Sequence, residues 1–422
     1  MCSSSECYAG RTGWFVVLAL WTRLFILVGI YKAIGMMIPL LQVQFDTTTW
    51  ILGWITSIIG APAGLAGIFA KPIGRYLGPG NAVMLCGAMI SVSVIIASFA
   101  TSPVQLACVF VLLLGTGFGI SGVLIKEAIG RCFNKNYATA TGIARTGDSI
   151  GLFVCAPAAQ IFLDVYGWRG ATLLIGAISM HFVACGALLV RAGISSKSKY
   201  QELPGNDIIS KPNRLPSCCF TFSKTVSENF DTRLFTDYRY WSVAIVACST
   251  KFTFNMWIIY FVSQALSNGF SLEEAATFIA IGGIGGLLGK LVQGILVDRG
   301  VVSIVLLMGI TLIISSAAFC VTPWLTSYWP MMTSTVVILT CSGALCCLLD
   351  VLSKQVLGVE LPAGAFGWTA FTSAIVDVAI GFIPGWIYDS TGSYTTAFIF
   401  IGSVQFLPIF PLLILRYKQC VE

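Results

Sequence analysis

Charge is scarce in this sequence. Asp, Glu, Lys and Arg make up 10% of its 422 residues, while 57% are hydrophobic and mean hydropathy is +0.88. Soluble domains carry about 25% charged residues, so the balance is that of a polytopic membrane protein. There is no Walker A loop, glycine-rich dinucleotide fingerprint, metal-spaced Cys/His set or nucleophile elbow. No cofactor, no ATP hydrolysis, no enzymatic activity and no nucleic-acid partner are therefore expected. No Asn-x-Ser/Thr sequon occurs, so N-glycosylation is not expected. No cleavable signal peptide is expected either: the first eleven residues are short and polar, and the apolar run from Trp14 is too long for an h-region.

Apolar length is abundant. Twelve segments can be counted, near 14–43, 50–70, 82–101, 104–125, 138–163, 170–190, 241–266, 275–297, 302–322, 330–353, 362–388 and 395–415. The expected fold is an all-α membrane protein of twelve transmembrane helices in two six-helix pseudo-repeats. Its divisions are an N-terminus (1–13), a first bundle (14–190), a flexible linker (191–240), a second bundle (241–415) and a C-terminus (416–422). Fifteen cysteines are present. Those inside the spans (Cys86, Cys108, Cys155, Cys185, Cys248, Cys320, Cys341, Cys346 and Cys347) read as small buried hydrophobes. Cys218 and Cys219 lie in the polar linker, where palmitoylation would require that the linker touch the bilayer.

Orientation follows from the cations. With both termini on one side, eighteen Lys and Arg fall in the loops and ends of that side, from Arg11 to Lys418, and only Arg169 falls opposite. This asymmetry puts both termini and the linker in the cytoplasm. The halves also repeat. Gly74-Arg75 corresponds to Asp298-Arg299 at an offset of 224, and Gly142, Asp164 and Gly167 correspond to Gly367, Asp389 and Gly392 at 225. A constant offset argues for duplication of a six-helix unit, with the solute path between the halves.

The charges inside the spans define the candidate site. Lys32 sits within Trp14–Phe45, a run of roughly thirty residues, at a depth that costs about 2.5–3.5 kcal/mol unless water, protein or a counter-charge receives it. It shares a helical face with Phe25, Val28, Gly29, Gly35 and Met36. The other buried cations are Arg23, Arg145, Lys251 and Lys290, and the acids are Asp148, Asp350 and Asp377. Arg145 and Asp148 are three apart and can pair locally or act in the path. Arg23 lies on the face opposite Lys32 and can snorkel or reach the path. Setting the local pair aside leaves Arg23, Lys32, Lys251 and Lys290 against Asp350 and Asp377, an excess suited to a watery cavity that receives an anion.

Lys290 follows Gly282 and Gly286 at four-residue spacing, with Gln293 near the same face. It reads as an anion-binding group or as part of a glycine-lined crossing. Lys251 lies among Thr250, Thr253 and Asn255, and either lines the cavity or bonds a neighbouring helix. Asp350 is a gate or structural counter-charge, and Asp377 pairs a cation or carries a proton. His181, the only histidine, reads as a hydrogen-bonded core residue rather than a proton relay. Trp14, Trp50, Trp54, Trp241, Trp324, Trp329 and Trp386 mostly mark segment ends, as an interfacial belt would, and Phe366 and Trp368 either join that belt or line the inner mouth.

The stretch Arg131–Gly151, RCFNKNYATATGIARTGDSIG, resembles the fifth-helix signature of the monocarboxylate transporter family, a branch of the major facilitator superfamily. The matches are Phe133, Lys135, Ala140, Gly142, Ala144, Gly147 and Gly151. Tyr166–Gly170, YGWRG, is also similar to a usual family sequence, as Gly10, Gly13 and Trp14 are to part of the first-helix signature. Ala9, Arg11 and Thr12 depart from it. The resemblance covers essentially the whole chain, with the linker matching only in character. It implies twelve helices, alternating access, and small organic acids or related polar metabolites as substrates. It also implies that Lys32, at ungapped spacing from Trp54, occupies the family's carboxylate-binding lysine column. Lys290 fits the family's basic position on the eighth helix, lysine for arginine, whereas Gly286 stands where the family has an acid, which puts the usual proton-coupling pair in doubt. Similarity to a creatine-transporting member, for example at Asp389–Tyr394, extends the implied substrates to zwitterions.

The reading is a plasma-membrane secondary transporter for a small carboxylate-bearing solute. Lys32, Lys290, Arg145 and Lys251 bind the solute, and Asp350, Asp377 and Asp148 couple or gate. Proton coupling is left open. So is a single-helix accessory protein of the kind that accompanies some family members. A transport-inactive sensor or scaffold on the same fold is the alternative.

Overall fold

The computed structural model describes residues 4–45, 60–133, 136–191, 232–357 and 362–418. Among these residues all regular secondary structure is helical. Helix α1 is Ser4–Phe45, α2 is the pair Gly60–Ile68 and Ala70–Leu77, and α3 is Pro79–Ala97. Helix α4 joins Pro103–Val109, a π-helical turn at Phe110–Gly115, and Thr116–Cys132. The run Tyr137–Ser179 breaks at Gly167, separating α5 (137–166) from α6 (168–179, continued by His181–Arg191). The second half comprises α7 (Tyr238–Ser267), α8 (Leu272–Asp298), α9 (Ile304–Val321) and α10 (Tyr328–Leu357). Then come α11 (Pro362–Ile380 with Ile383–Thr391) and α12 (Tyr394–Phe406 with Ile409–Tyr417).

These helices account for all twelve apolar segments. Among the described residues, ten stretches are long and apolar enough on their own to cross a bilayer. The shortfall has two sources. Residues 46–59, which hold the start of the second segment with Trp50 and Trp54, lie outside the described residues. Helix α5 carries Thr139, Thr141, Arg145, Thr146, Asp148 and Ser149, which lower its hydropathy.

The duplication is visible in the backbone. Gly167 and Gly392, 225 positions apart, end α5 and α11 with φ of 65° and 66°, a left-handed conformation that only glycine adopts at no steric cost. Gly142 and Gly367, also 225 apart, each sit where a helix crosses into the other half. A Cβ at Gly142 would lie 2.4 Å from the Lys290 carbonyl of α8, and one at Gly367 would lie 2.5 Å from the Gly67 carbonyl of α2. The α5–α8 and α11–α2 crossings are thus related by the repeat.

Local starts follow familiar capping chemistry. Ser102 caps α4, Ser303 caps α9, and Ser271 with Glu274 forms a reciprocal capping box on α8. Helix α5 is different: Asn136 makes no side-chain cap. Packing within the first half runs through the signature glycines, because Gly147 and Gly151 bring α5 against the Trp21 and Phe25 backbone of α1. Trp21 Nε1 donates to Thr146 Oγ1 at 3.2 Å across the same contact. In the second half Thr253 donates to Gln405, and Gln405 donates to Ser315, a buried network joining α7, α12 and α9.

Several expectations need correction. The end of the linker is folded: Thr232–Thr236 forms a 3-10 turn, and Phe235 packs at 4.7 Å from the Trp368 ring. Phe366 is 8% exposed and lies under Lys126. Neither Phe366 nor Trp368 therefore belongs to an interfacial belt. His181 is exposed and bonds the Ile178 carbonyl at 2.8 Å within its own chain segment, so it is not a core residue. Cys86, Cys185, Cys248, Cys341 and Cys347 are buried as expected, whereas Cys108 is exposed. The palmitoylation candidates Cys218 and Cys219 lie outside the described residues.

Candidate functional site

The linker emerges from the end of α6 and re-enters at α7, which defines a linker side of the bundle. Among the described residues, every cross-half hydrogen bond and ion pair lies in the linker-side part of the helices. Asp350 on α10 is the centre of the first group. Its carboxylate receives Lys126 of α4 at 3.0 Å, and Arg145 of α5 at 3.0 Å through Nε and 2.7 Å through NH2. Side-chain exposure of Asp350 is 3%, so two cations and surrounding protein seal it. A second group joins Lys290 of α8 to Asp148 of α5 by an ion pair, with Ser149 Oγ accepting from the same ammonium at 2.8 Å. Lys354 donates to the Phe133 carbonyl at 2.5 Å and lies 4.5 Å from the Tyr137 ring centroid.

The third group supplies the cap that α5 lacks. Asp298, at the end of α8, accepts from the backbone N–H groups of Ala138 and Thr139 at 3.2 and 2.6 Å. A carboxylate at a helix N-terminus satisfies free N–H donors and meets the positive end of the helix dipole. Here the cap comes from the opposite half, so it exists only while the halves touch on this side.

Moving away from the linker side, the inner helices open. On α1, Val17, Leu20 and Leu24 share one stripe with Tyr31 and Gly35 at about 100° per residue. The first three are buried, and the last two are exposed. On α7 the stripe Ala244, Cys248, Lys251, Asn255 and Ile258 runs from 1% exposed at Ala244 to 48% at Ile258. One face of α1 packs on its own bundle, as in the contacts of Gly29 with Cys155 and of Arg23 with Phe118 and Ser121. Tyr31, Lys32 and Gly35 lie on an exposed part of the helix away from those contacts.

The candidate residues separate into two classes. Lys32 is exposed and Lys251 half-buried, and neither has a hydrogen bond or ion pair among the described residues. Lys251 has Asp377 within electrostatic reach. Asp377 accepts from Asn255 at 3.0 Å through Oδ2, while its Oδ1 is buried without a hydrogen-bond partner. By contrast, Lys290, Arg145, Asp148 and Asp350 are all engaged across the halves. The local Arg145–Asp148 pairing does not occur: 60° of helical divergence sends Arg145 to α10 and Asp148 to α8. Arg23 does not snorkel, because its guanidinium is held at 2.6 Å by the Phe118 carbonyl and its Nε donates to Ser121.

Sequence reasoning counted Lys126 among the loop cations, but α4 extends past it to Cys132. A signal for its role was present. Lys126 and Asp350 are 224 apart, the spacing of the repeat itself, so corresponding positions of α4 and α10 meet and pair. Asp298 was noticed only as a repeat marker. Arg169, the lone cation on the far side, donates to the Ser98 and Ala100 carbonyls at the end of α3, a C-terminal capping role.

Comparisons with known proteins agree with this architecture. The family profile described as the Major Facilitator Superfamily matches residues 20–381. The chain is 26% identical over 436 residues to monocarboxylate transporter 12 of Rattus norvegicus, covering 98% of this chain and 86% of that protein. It is 27% identical over 401 residues to monocarboxylate transporter 13 of Bos taurus, covering 93% and 87%. Among solved structures, the proton:xylose symporter XylE superposes with a TM-score of 0.72 at 12% identity, covering 96% of each chain. The transporter FucP in the outward conformation gives 0.67 at 15% identity, covering 94% of this chain and 98% of the other. A twofold-repeated twelve-helix bundle, matched in sequence along most of its length by such relatives, is a member of the major facilitator superfamily, in its monocarboxylate transporter branch.

Proposed function

We propose that this chain is a plasma-membrane carrier for a small carboxylate-bearing solute, working by alternating access with Lys32 and Lys251 as its anion-binding groups. Membership of the superfamily makes it a multi-pass secondary transporter of small solutes rather than an enzyme. The solute class comes from the site. One observation carries it: Lys32 and Lys251 make no hydrogen bond or ion pair among the described residues, whereas Lys126, Arg145 and Lys290 are ion-paired with acids. An unpaired ammonium at depth is tolerable where a watery chamber accepts an anion. The names of the relatives point to the same solute class.

The linker side is cytoplasmic in this reading, supported by the large excess of Lys and Arg near that side over the single Arg169 opposite. The buried-to-exposed stripes of α1 and α7 then describe an outward-facing state. Beside the anion-binding lysines, the Asp377 carboxylate, bonded only to Asn255 among the described residues, offers a negative charge to an ammonium or guanidinium group. A zwitterion of the creatine kind therefore fits the site as well as a plain monocarboxylate. Gly286 removes the family's acid from α8, which favours facilitated movement over obligatory proton symport. Uptake that rises steeply with an inward pH gradient would refute that part.

The test is flux into proteoliposomes of purified full-length protein, screened across monocarboxylates and creatine at two external pH values. Saturable uptake is expected, together with a roughly tenfold or greater loss in Lys32→Ala, the size of a charge-assisted contact. Unchanged flux in a Lys32→Ala protein inserted at normal level defeats the assignment.

A further inference from the structure

The carboxylate that holds Lys290 comes from the wrong half of the molecule for a simple intrahelical pair. On α8 the position one turn earlier is Gly286, and that side of the helix is filled by α10. A Cβ at Gly286 would lie 3.2 Å from the Leu339 carbonyl, and one at Gly343 would lie 2.5 Å from the Gly286 carbonyl. The acid is supplied instead by Asp148, across the α5–α8 seam. We propose that Asp148 is a resident stand-in for the solute's carboxylate: it occupies the Lys290 ammonium until a carboxylate entering from the open side displaces it, and this exchange releases the seam. The inference rests on the transport reading above.

Three observations carry it. First, the two acids are held differently. The Asp148 side chain is 25% exposed and bonded to one cation, while that of Asp350 is 3% exposed and bonded to two. Asp148 can therefore leave its ammonium for water, whereas Asp350 is sealed. Second, Asp148 lies eleven residues into α5 and Arg145 eight. At about 1.5 Å per residue the Lys290 pair is the one nearer mid-depth. Third, Ser149 Oγ also accepts from the Lys290 ammonium at 2.8 Å. That bond keeps the ammonium partnered during the exchange and parts only afterwards, with the seam. An exchange of like for like never leaves the ammonium buried and unpaired, the state that makes a broken buried pair costly. An uncharged solute offers no such exchange.

In this scheme Asp148 is a positioning residue and an internal competitor. Removing a competitor raises apparent affinity by the inverse of the fraction of time the receptor was free. The experiment measures thermal stabilisation of full-length protein by L-lactate, creatine and lactamide, the neutral analogue, in parallel with flux. Asp148→Asn should raise apparent affinity for the carboxylates about tenfold or more and leave lactamide unaffected. Asp148→Glu should behave like the parent, and adding Lys290→Ala to Asp148→Asn should abolish the gain. A purely structural role would lower the melting temperature of Asp148→Asn without selectively strengthening carboxylate binding, and that result overturns the proposal. If the parent transports a carboxylate but its affinity is unchanged in Asp148→Asn, the exchange is wrong and the transport reading stands. If no carboxylate stabilises or crosses with the parent or the variant, both fall together.

Discussion

The two crossings that join the halves are related by the repeat yet differ in chemistry. The α5–α8 seam carries the Asp148–Lys290 pair and the Asp298 cap. The α2–α11 seam is built from close backbone contact at Gly64, Gly67 and Gly367, and no cross-half hydrogen bond or ion pair is seen there among the described residues. Offset by 225, Lys290 corresponds to Leu65 and Asp148 to Ser373; offset by 224, Asp298 corresponds to Gly74. One copy of a duplicated crossing carries an ion pair at its close approach, and the other meets there through glycine backbone. A polar seam has discrete bonded and broken states, whereas a glycine-lined one can slide with little change in energy. The difference assigns the latch to α5–α8 and the bearing to α2–α11, with the Asp350 group on the repeat axis between them.

The largest effect should come from that axial group. Asp350→Ala leaves Arg145 and Lys126 buried without their carboxylate. Breaking a buried pair by removing one partner costs about 3–5 kcal/mol, so the purified variant should show a markedly lower melting temperature and poor recovery. Asp350→Asn should lie between the variant and the parent. Equal stability of all three would mean that the axial contact contributes little and that the comparison of the seams is incomplete.

Substituting the unpaired cations should give the opposite pattern. Lys251→Ala should reduce carboxylate flux about tenfold, as a lost charge-assisted contact worth about 1.5 kcal/mol would. Its stability should shift by no more than about 0.5 kcal/mol, as expected where no native bond is broken. Flux and melting temperature measured on the same preparation separate the two classes. A Lys251→Ala protein that unfolds early but transports normally would move Lys251 into the structural set.

That division explains which parts of the molecule were legible beforehand. The segments, the six-plus-six repeat and the exceptional position of Lys32 follow from local composition and a constant offset, both linear properties of the chain. The partners of the acids do not. Asp148 and Lys290 are 142 residues apart, and Arg145 and Asp350 are 205 apart. On the sequence Arg145 and Asp148 are neighbours on one helix, and proximity along the chain favours pairing them. Only the placement of α5 between α8 and α10 sends the two side chains to different helices. Lys126 was hidden for another reason: a cation near a predicted helix end looks like a loop cation until the helix is seen to continue. His181 misled by rarity, since a lone histidine in an apolar span need not be inside anything.

The smallest effect expected is the one that most sharpens the contrast between the seams. Asp298→Asn keeps an oxygen that can accept from Ala138 or Thr139 but removes the negative charge at the start of α5. Such helix-terminus charges contribute about 0.3–1 kcal/mol, enough to change the ratio of closed to open linker-side states roughly two- to fivefold. Because the cap is made only across the halves, this energy biases the conformational equilibrium and leaves each bundle alone. The melting temperature should therefore hardly move. The rate at which a membrane-impermeant maleimide, applied from the linker side, modifies a single cysteine introduced at Thr139 should rise by that factor. Gly74, the corresponding position on the other seam, already lacks a carboxylate, so Gly74→Ser should give no comparable opening. Equal opening in both variants would mean that the cap is a feature of the repeat rather than of the latch.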